Sequence, residues 1–154
     1  MSSIAAESKN LVRAWFEVFN TGDFTAVESI HAADCRNHAP GPFDVSDWPA
    51  AGRHFGPAEF RQTVEWIRSS QPDLHITIDS IIADGDQVVS WIHATGTPTQ
   101  ARGPIPPTGA TVSFDQAHRF RIERGKIAEH WAVRDDLRSM VQAGVVVPPT
   151  GGRA

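Results

Sequence analysis

The chain of 154 residues contains no tyrosine and one cysteine, and both shortages exclude kinds of chemistry. Because tyrosine is absent, no phenolic hydroxyl group can polarise a carbonyl or position a water molecule. Because Cys35 is alone, no disulfide bond can form within the chain, which agrees with a reducing compartment. We expect Cys35 to be a small buried thiol, since a nucleophilic thiol needs a basic partner and an electropositive setting.

The chain also lacks long apolar runs and clusters of basic residues. No window approaches the roughly 18 apolar residues typical of a membrane span, and the first ten residues lack the apolar stretch of a signal peptide. The formal net charge is -4 with scattered basic residues, whereas a nucleic-acid or anionic-membrane partner favours a basic stripe. We therefore expect a cytoplasmic protein that binds neither nucleic acid nor membrane.

What is present is an ordinary globular composition, 40% hydrophobic and 21% charged. A chain of this length forms one domain and hides roughly 68–70% of the surface that the unfolded chain exposes. We assign residues 1–147 to a single domain and residues 148–154 to a flexible tail. A core of this size leaves room for an internal pocket.

The first half of the sequence has helical periodicity. An amphipathic helix is predicted over residues 5–20, a short second helix over residues 24–31, and a third helix that begins near Pro57. Between the last two, residues 39–56 are rich in proline, glycine and aromatic side chains and are expected to form a packed flap rather than a slack linker. Asp135 is a plausible N-cap for a last short helix that reaches residue 143.

After residue 72 the period changes from 3.6 to two, which predicts strands. Strands are expected over residues 74–79, 87–97, 111–123 and 126–133, with a hairpin turn at residues 84–86. Three helices followed by an antiparallel meander predict an α+β domain. A strongly curved antiparallel sheet with helices across its concave side forms a cone-shaped barrel, and we expect the pocket at its open end.

Several strings, in this order, are typical of one family: residues 18–24 (VFNTGDF), 72–74 (PDL), 96–97 (GT), 105–109 (IPPTG), 120–127 (FRIERGKI) and 129–131 (EHW). The chain resembles the SnoaL-like polyketide cyclases of the nuclear transport factor 2-like superfamily over about residues 9–144. The resemblance implies a homodimer and a cofactor-free enzyme that closes a polyketide ring by intramolecular aldol condensation. Isomerases and dehydratases on this fold commonly depend on a tyrosine hydroxyl, so the absence of tyrosine excludes their mechanisms in the usual form.

In the family, a catalytic aspartate directly follows the Glu-His-Trp string, and here that position is Ala132. Alanine cannot move a proton, so the family's mechanism cannot operate unchanged. The resemblance does match two pocket histidines, His38 and His118. Asp135 or Asp136 could replace the missing carboxylate, although Asp135 is better suited to capping the last helix.

Strand alternation brings the candidate groups together. His118 shares a face with Gln116 and Phe114, while His130 shares a face of the next strand with Ala132 and then Arg134. We assign catalysis to His118 as the proton shuttle, with His38 or Arg134 stabilising negative charge on oxygen. The expected pocket-lining residues are Trp15, Phe19, Phe60, Val64, Trp91, Phe114, Gln116, His130 and Ala132.

The predicted ligand is a small hydrophobic carbonyl compound, and no cofactor is expected. No metal site is expected either, because His31, Cys35 and His38 do not have the spacing of a tetrahedral set. Two other functions stay open at this point. One is a hydrolase- or hydroxylase-like relative on the same scaffold, and the other is a non-catalytic small-molecule-binding protein, which Ala132 favours.

Overall fold

The computed structural model describes residues 3–39, 52–101 and 106–149. Residues 40–51, which make up most of the predicted flap, lie outside the described residues. The same holds for residues 102–105 and for residues 150–154 of the predicted tail.

Four helices are present in the described residues: α1 (Ile4–Thr21), α2 (Val27–Ile30), α3 (Pro57–Ser70) and α4 (Asp136–Gln142). The Ser3 hydroxyl caps α1 by accepting the Ala6 N–H at 3.2 Å, and Gly22 ends it with a φ of 70° that suits glycine. The predicted second helix was too long, since only four residues are helical before the chain enters a strand at His31. No helix in the described part of the chain is both long and apolar enough to cross a bilayer.

Within the described ranges, six strands form one sheet: β1 (His31–Asn37), β2 (Arg53–His54), β3 (His75–Asp84), β4 (Gln87–Gly96), β5 (Val112–Glu123) and β6 (Lys126–Arg134). Their order is β2-β1-β6-β5-β4-β3. The meander from β3 to β6 is antiparallel, as predicted. Strand β1 pairs in parallel with β6, so the sheet is mixed and curls without closing. The predicted cone-shaped α+β fold is confirmed, and the parallel pairing of β1 with β6 is a feature that the sequence did not predict.

The core lies between the helices and the concave face of the sheet. Strand β4 shows the division between the two faces, because Val88 and Ile92 are buried whereas Val89 and Trp91 on the other face are exposed. Helices α1 and α3 meet over the concave face, where the rings of Trp15 and Phe60 stack with centroids 5.1 Å apart. This packing positions Trp15, which lines the cavity described below.

Candidate active site

A cavity of about 340 Å³ lies between the helices and the concave face of the sheet. This volume is at the lower end of the range for small-molecule sites. Its apolar wall comes from α1, α3, β3 and β5, and includes Trp15, Phe16, Phe19, Ile67, Ile76 and Phe114. Its polar groups include Asn37, Arg53, Gln71, Gln116, His118, His130, Arg134 and Asp136. The cavity thus suits an apolar body that carries a few polar atoms.

The pairing of β5 with β6 places the candidate residues opposite one another. Ala132 is the direct partner of His118, and Arg134 is the direct partner of Gln116. Alternation along both strands keeps all four side chains on the concave face, where each of them lines the cavity. Position 132, where the family resemblance implies a carboxylate, therefore lies beside His118 and holds only a methyl group.

The two buried imidazoles belong to a chain of hydrogen bonds that we call the relay, formed by Asn37, His130, His118 and Gln116. Asn37 Oδ1 is 3.0 Å from His130 Nδ1, and His130 Nε2 is 2.9 Å from His118 Nδ1. His118 Nε2 is 2.8 Å from Gln116 Oε1. The imidazole rings of His118 and His130 stack with centroids 5.2 Å apart. Both histidines are almost fully buried.

Both imidazoles are neutral at neutral pH. Burial, together with the nearby charge of Arg134, lowers the pKa of His118 from 6.5 to about 3. Burial also lowers the pKa of His130 well below its ordinary value, and the charge that His118 would carry lowers it further. A neutral imidazole keeps one nitrogen lone pair, so His118 can accept a proton.

The two aspartates that follow β6 have separate roles. Asp135 caps α4 by accepting the Arg138 N–H at 3.1 Å, as its sequence position predicts. Asp136 lies at the cavity, and both its carboxylate oxygens are 3.3 Å from the Arg134 side chain, at Nε and Nη2 respectively. Of the two, Asp136 is the carboxylate near the candidate site, and it is paired with a cation.

The placement of His38 in the pocket was wrong. Its Nε2 is 2.7 Å from Glu129 Oε2, and its ring stacks on Trp131 at 4.5 Å with an interplanar angle of 6°. Glu129 and Trp131 belong to the convex face of the sheet, opposite to His130. Because Asn37 points inward, the next residue along the chain points outward. His38 therefore does not line the cavity.

Three predicted lining residues also need correction. Trp91 is 48% exposed on the convex face of β4, because it has the opposite parity to the buried Ile92. Phe60 and Val64 are fully buried in the core and are not among the residues that line the cavity. Trp15 and Phe19 of α1 do lie at the cavity, as do Phe114, Gln116, His118, His130, Ala132 and Arg134.

Sequence reasoning missed Asn37, which anchors one end of the relay. Strand β1 was not predicted, since its burial pattern is irregular and its register with β6 shifts between His31 and Arg36. Without a strand assignment there was no parity to place the Asn37 side chain. The partial signal was the adjacent match at His38, whose inward-facing neighbour is Asn37.

His31 and Cys35 lie on β1 but do not form a reactive site. Burial, together with the nearby carboxylate of Glu129, raises the pKa of the Cys35 thiol to about 12, so the sulfur stays protonated. His31 is buried, and burial lowers its pKa to about 4. In the ranges that the structure describes, no three His, Cys, Asp or Glu side chains are grouped to hold a metal ion.

Solved structures with the same architecture are numerous. IdmH, a candidate polyketide cyclase from Streptomyces antibioticus, is 27% identical, with a TM-score of 0.75 over 90% of this chain and 99% of its own. TsrD from Streptomyces laurentii is 23% identical, with a TM-score of 0.79 over 94% and 100%. AclR from Streptomyces galilaeus, a candidate hydroxylase, is 24% identical, with a TM-score of 0.76 over 95% and 91%. The last two likenesses show the cone-shaped α+β fold alone.

No curated protein matches the chain. The family model for SnoaL-like polyketide cyclases matches residues 9–143, which include every described strand and the whole relay. The chain therefore belongs to the SnoaL-like polyketide cyclase family.

Proposed function

We propose that the protein is a cofactor-independent enzyme that closes a ring in a small hydrophobic carbonyl compound by intramolecular aldol chemistry, with His118 as the base. The observation that carries this proposal is the neutral, buried His118 at an apolar cavity, hydrogen-bonded to Gln116 and His130 and within the electrostatic influence of Arg134. The apolar wall would hold the carbon skeleton, and the polar end would meet the reacting oxygen.

The reaction balances with groups of the protein and substrate alone. His118 Nε2 takes a proton from the carbon next to a carbonyl, and the C–H bonding electrons form an enolate. The enolate carbon then bonds to a second carbonyl carbon of the same molecule, whose oxygen becomes an alkoxide. His118 returns the proton to that oxygen. No external oxidant, reductant or co-reactant is consumed.

The low pKa of His118 makes it a weak base, and the reacting substrate can raise this pKa. The charge of Arg134 is one of the two causes of the lowered pKa. An enolate that forms beside Arg134 offsets that charge, and it is attracted to the imidazolium at the same time. Proton transfer is thus more favourable when the enolate oxygen is held by the arginine.

The second imidazole would take the place of the missing carboxylate. With Ala132 opposite His118, no side chain at that position can balance the new positive charge. His130, 2.9 Å away, can accept a hydrogen bond from His118 and so spread the charge over two rings. In this proposal, the hydrogen bond between the two buried imidazoles takes part in catalysis.

A pair of histidine variants tests the proposal. His118→Ala should lower the ring-closing rate on an aromatic polyketide methyl ester by at least about a hundredfold, and added imidazole should restore part of it. His93→Ala is the matched control, because His93 lies on the convex face and pairs with Asp115 at 2.7 Å. Equal rates for wild type and a folded His118→Ala protein would overturn the proposal.

Binding without turnover is the second candidate function, and the alanine at position 132 favours it. An apolar cavity next to neutral imidazoles can hold a ligand without transferring a proton. In that case the wild-type protein would bind aromatic polyketide esters at micromolar concentration and release them unchanged. Calorimetry combined with mass analysis of the recovered ligand separates the two functions.

A further inference from the structure

We propose that Asn37 fixes the direction of the relay, so that His118 Nε2 accepts a hydrogen bond and the cavity takes an O–H donor there, such as an enol or phenol. This inference deepens the proposed function, since it concerns the same cavity. It depends on hydrogen-bond polarity and not on turnover. Asn37 acts through His130 and is a positioning residue.

The direction is set by a backbone group that can only donate. The Ala39 N–H donates to Asn37 Oδ1 at 3.0 Å, and this bond is buried. The amide of Asn37 is therefore oriented with its oxygen toward both Ala39 and His130. The same stretch of backbone is held to β6, since the His38 N–H donates to the His130 carbonyl oxygen at 2.8 Å. Asn37 cannot turn its amide over without leaving the Ala39 N–H unpaired.

The orientation of the Asn37 amide then determines which nitrogen of each imidazole carries the proton. His130 Nδ1 faces the Asn37 oxygen, so it must carry the proton and donate. A neutral His130 then has its lone pair at Nε2, which accepts from His118 Nδ1. A neutral His118 in turn has its lone pair at Nε2. Each ring has one proton, at Nδ1, and the relay has a single direction.

The last member of the relay shows what this direction demands of a ligand. Gln116 Oε1 lies 2.8 Å from His118 Nε2. A carbonyl oxygen can only accept, so this contact is a hydrogen bond only if Nε2 carries a proton. With the ring neutral, the Gln116 amide must turn over and present its N–H group. A ligand that displaces this amide must donate as well, or Nε2 loses its bond. An enol or phenol satisfies the site, whereas an ether or ester oxygen does not.

Imidazole nitrogen NMR tests the direction of the relay at neutral pH. Wild type should show His118 and His130 as neutral rings with the proton at Nδ1. Asn37→Asp keeps an acceptor and should retain the His130 pattern, whereas Asn37→Leu removes it and should give a mixture of His130 tautomers. A proton at His118 Nε2 in the wild-type protein would overturn the inference, even if the Asn37 variants fail to fold.

A matched pair of probes tests the ligand preference. 2-Naphthol should bind wild type about tenfold more tightly than 2-methoxynaphthalene, since the ether oxygen cannot donate to Nε2. The preference should persist in Asn37→Asp and shrink in Asn37→Leu. Equal affinities in wild type would contradict the inference. Because neither measurement needs catalysis, loss of ring closure alone would refute only the proposed reaction.

Discussion

Ala132 lies directly across from His118 in the antiparallel pairing of β5 with β6, on the face that lines the cavity. The family resemblance implies a carboxylate at this position. In this chain His118 therefore has a methyl group, and no carboxylate, directly across from it. The nearest replacement partner of His118 is a second imidazole rather than an acid.

Restoring the carboxylate should change the titration of His118. In Ala132→Asp the new carboxylate would lie next to His118 and favour the imidazolium, so the pKa of His118 should rise from about 3 toward its ordinary value. Proton NMR titration of the ring measures this rise. Ala117→Asp is the control, because Ala117 is the neighbour of His118 on the convex face. An unchanged pKa in Ala132→Asp would contradict the placement of position 132.

The buried histidines should make the fold sensitive to acid. Because the pKa values of His31 and His118 are lowered in the folded state, the unfolded state binds more protons below pH 6.5. The free energy of unfolding therefore has its full value above pH 6.5. It should fall as pH decreases from 6.5 through about 4 and 3, where His31 and then His118 titrate in the folded protein. Urea unfolding across this range measures the loss.

His31→Leu isolates one part of this effect. Both His31 ring nitrogens are buried without a hydrogen-bond partner among the described residues, so leucine should not cost a bond. We expect the variant to lose less stability than wild type between neutral pH and about pH 4, by on the order of 2 kcal/mol. An identical pH dependence in the two proteins would show that His31 is not a buried neutral group.

Removing the cap of α4 should weaken the end of the site nearest Arg134. Asp135→Ala loses the bond to the Arg138 N–H, which costs about 1 kcal/mol for a helix N-cap. Because Asp136 and Ser139 of α4 line the cavity, ligand affinity should fall together with stability. Asp135→Asn, which keeps a capping oxygen, should stay close to wild type. Equal losses in both variants would point to charge rather than capping.

The convex face of the sheet predicts a homodimer, as the family resemblance implies. Val89, Trp91 and Val133 are exposed there to 44%, 48% and 73%, and apolar groups of this kind are typical of interfaces. Trp91→Glu should therefore give a monomer with an unchanged cavity, which light scattering can measure. A monomeric wild-type mass would contradict the dimer and leave the site intact.

The sequence was most informative where burial is periodic. Helix α1, helix α3 and the four meander strands have clear apolar stripes, and the Asp135 cap follows from local chemistry alone. The parity of β5 and β6 correctly brought His118 and Ala132 to one face. These features depend on residues close together in the chain.

The sequence was least informative where distant segments decide the structure. Strand β1 has no apolar alternation and exists because the edge of β6 is available for parallel pairing. Its absence from the prediction caused both errors around it, the overlong second helix and the inward placement of His38. The relay could not be predicted either, because it needs the pairing of β1 with β6 to bring Asn37 within 3.0 Å of His130.

The most direct test of the account is whether His118 removes a proton from carbon inside this cavity. The measurement is the rate at which the protein exchanges the acidic C–H of bound 2-tetralone for deuterium in heavy water, compared between wild type and His118→Gln at saturating probe. We predict that wild type accelerates the exchange about a hundredfold over His118→Gln. Equal exchange rates, with both proteins folded and the probe bound to each, would contradict the account.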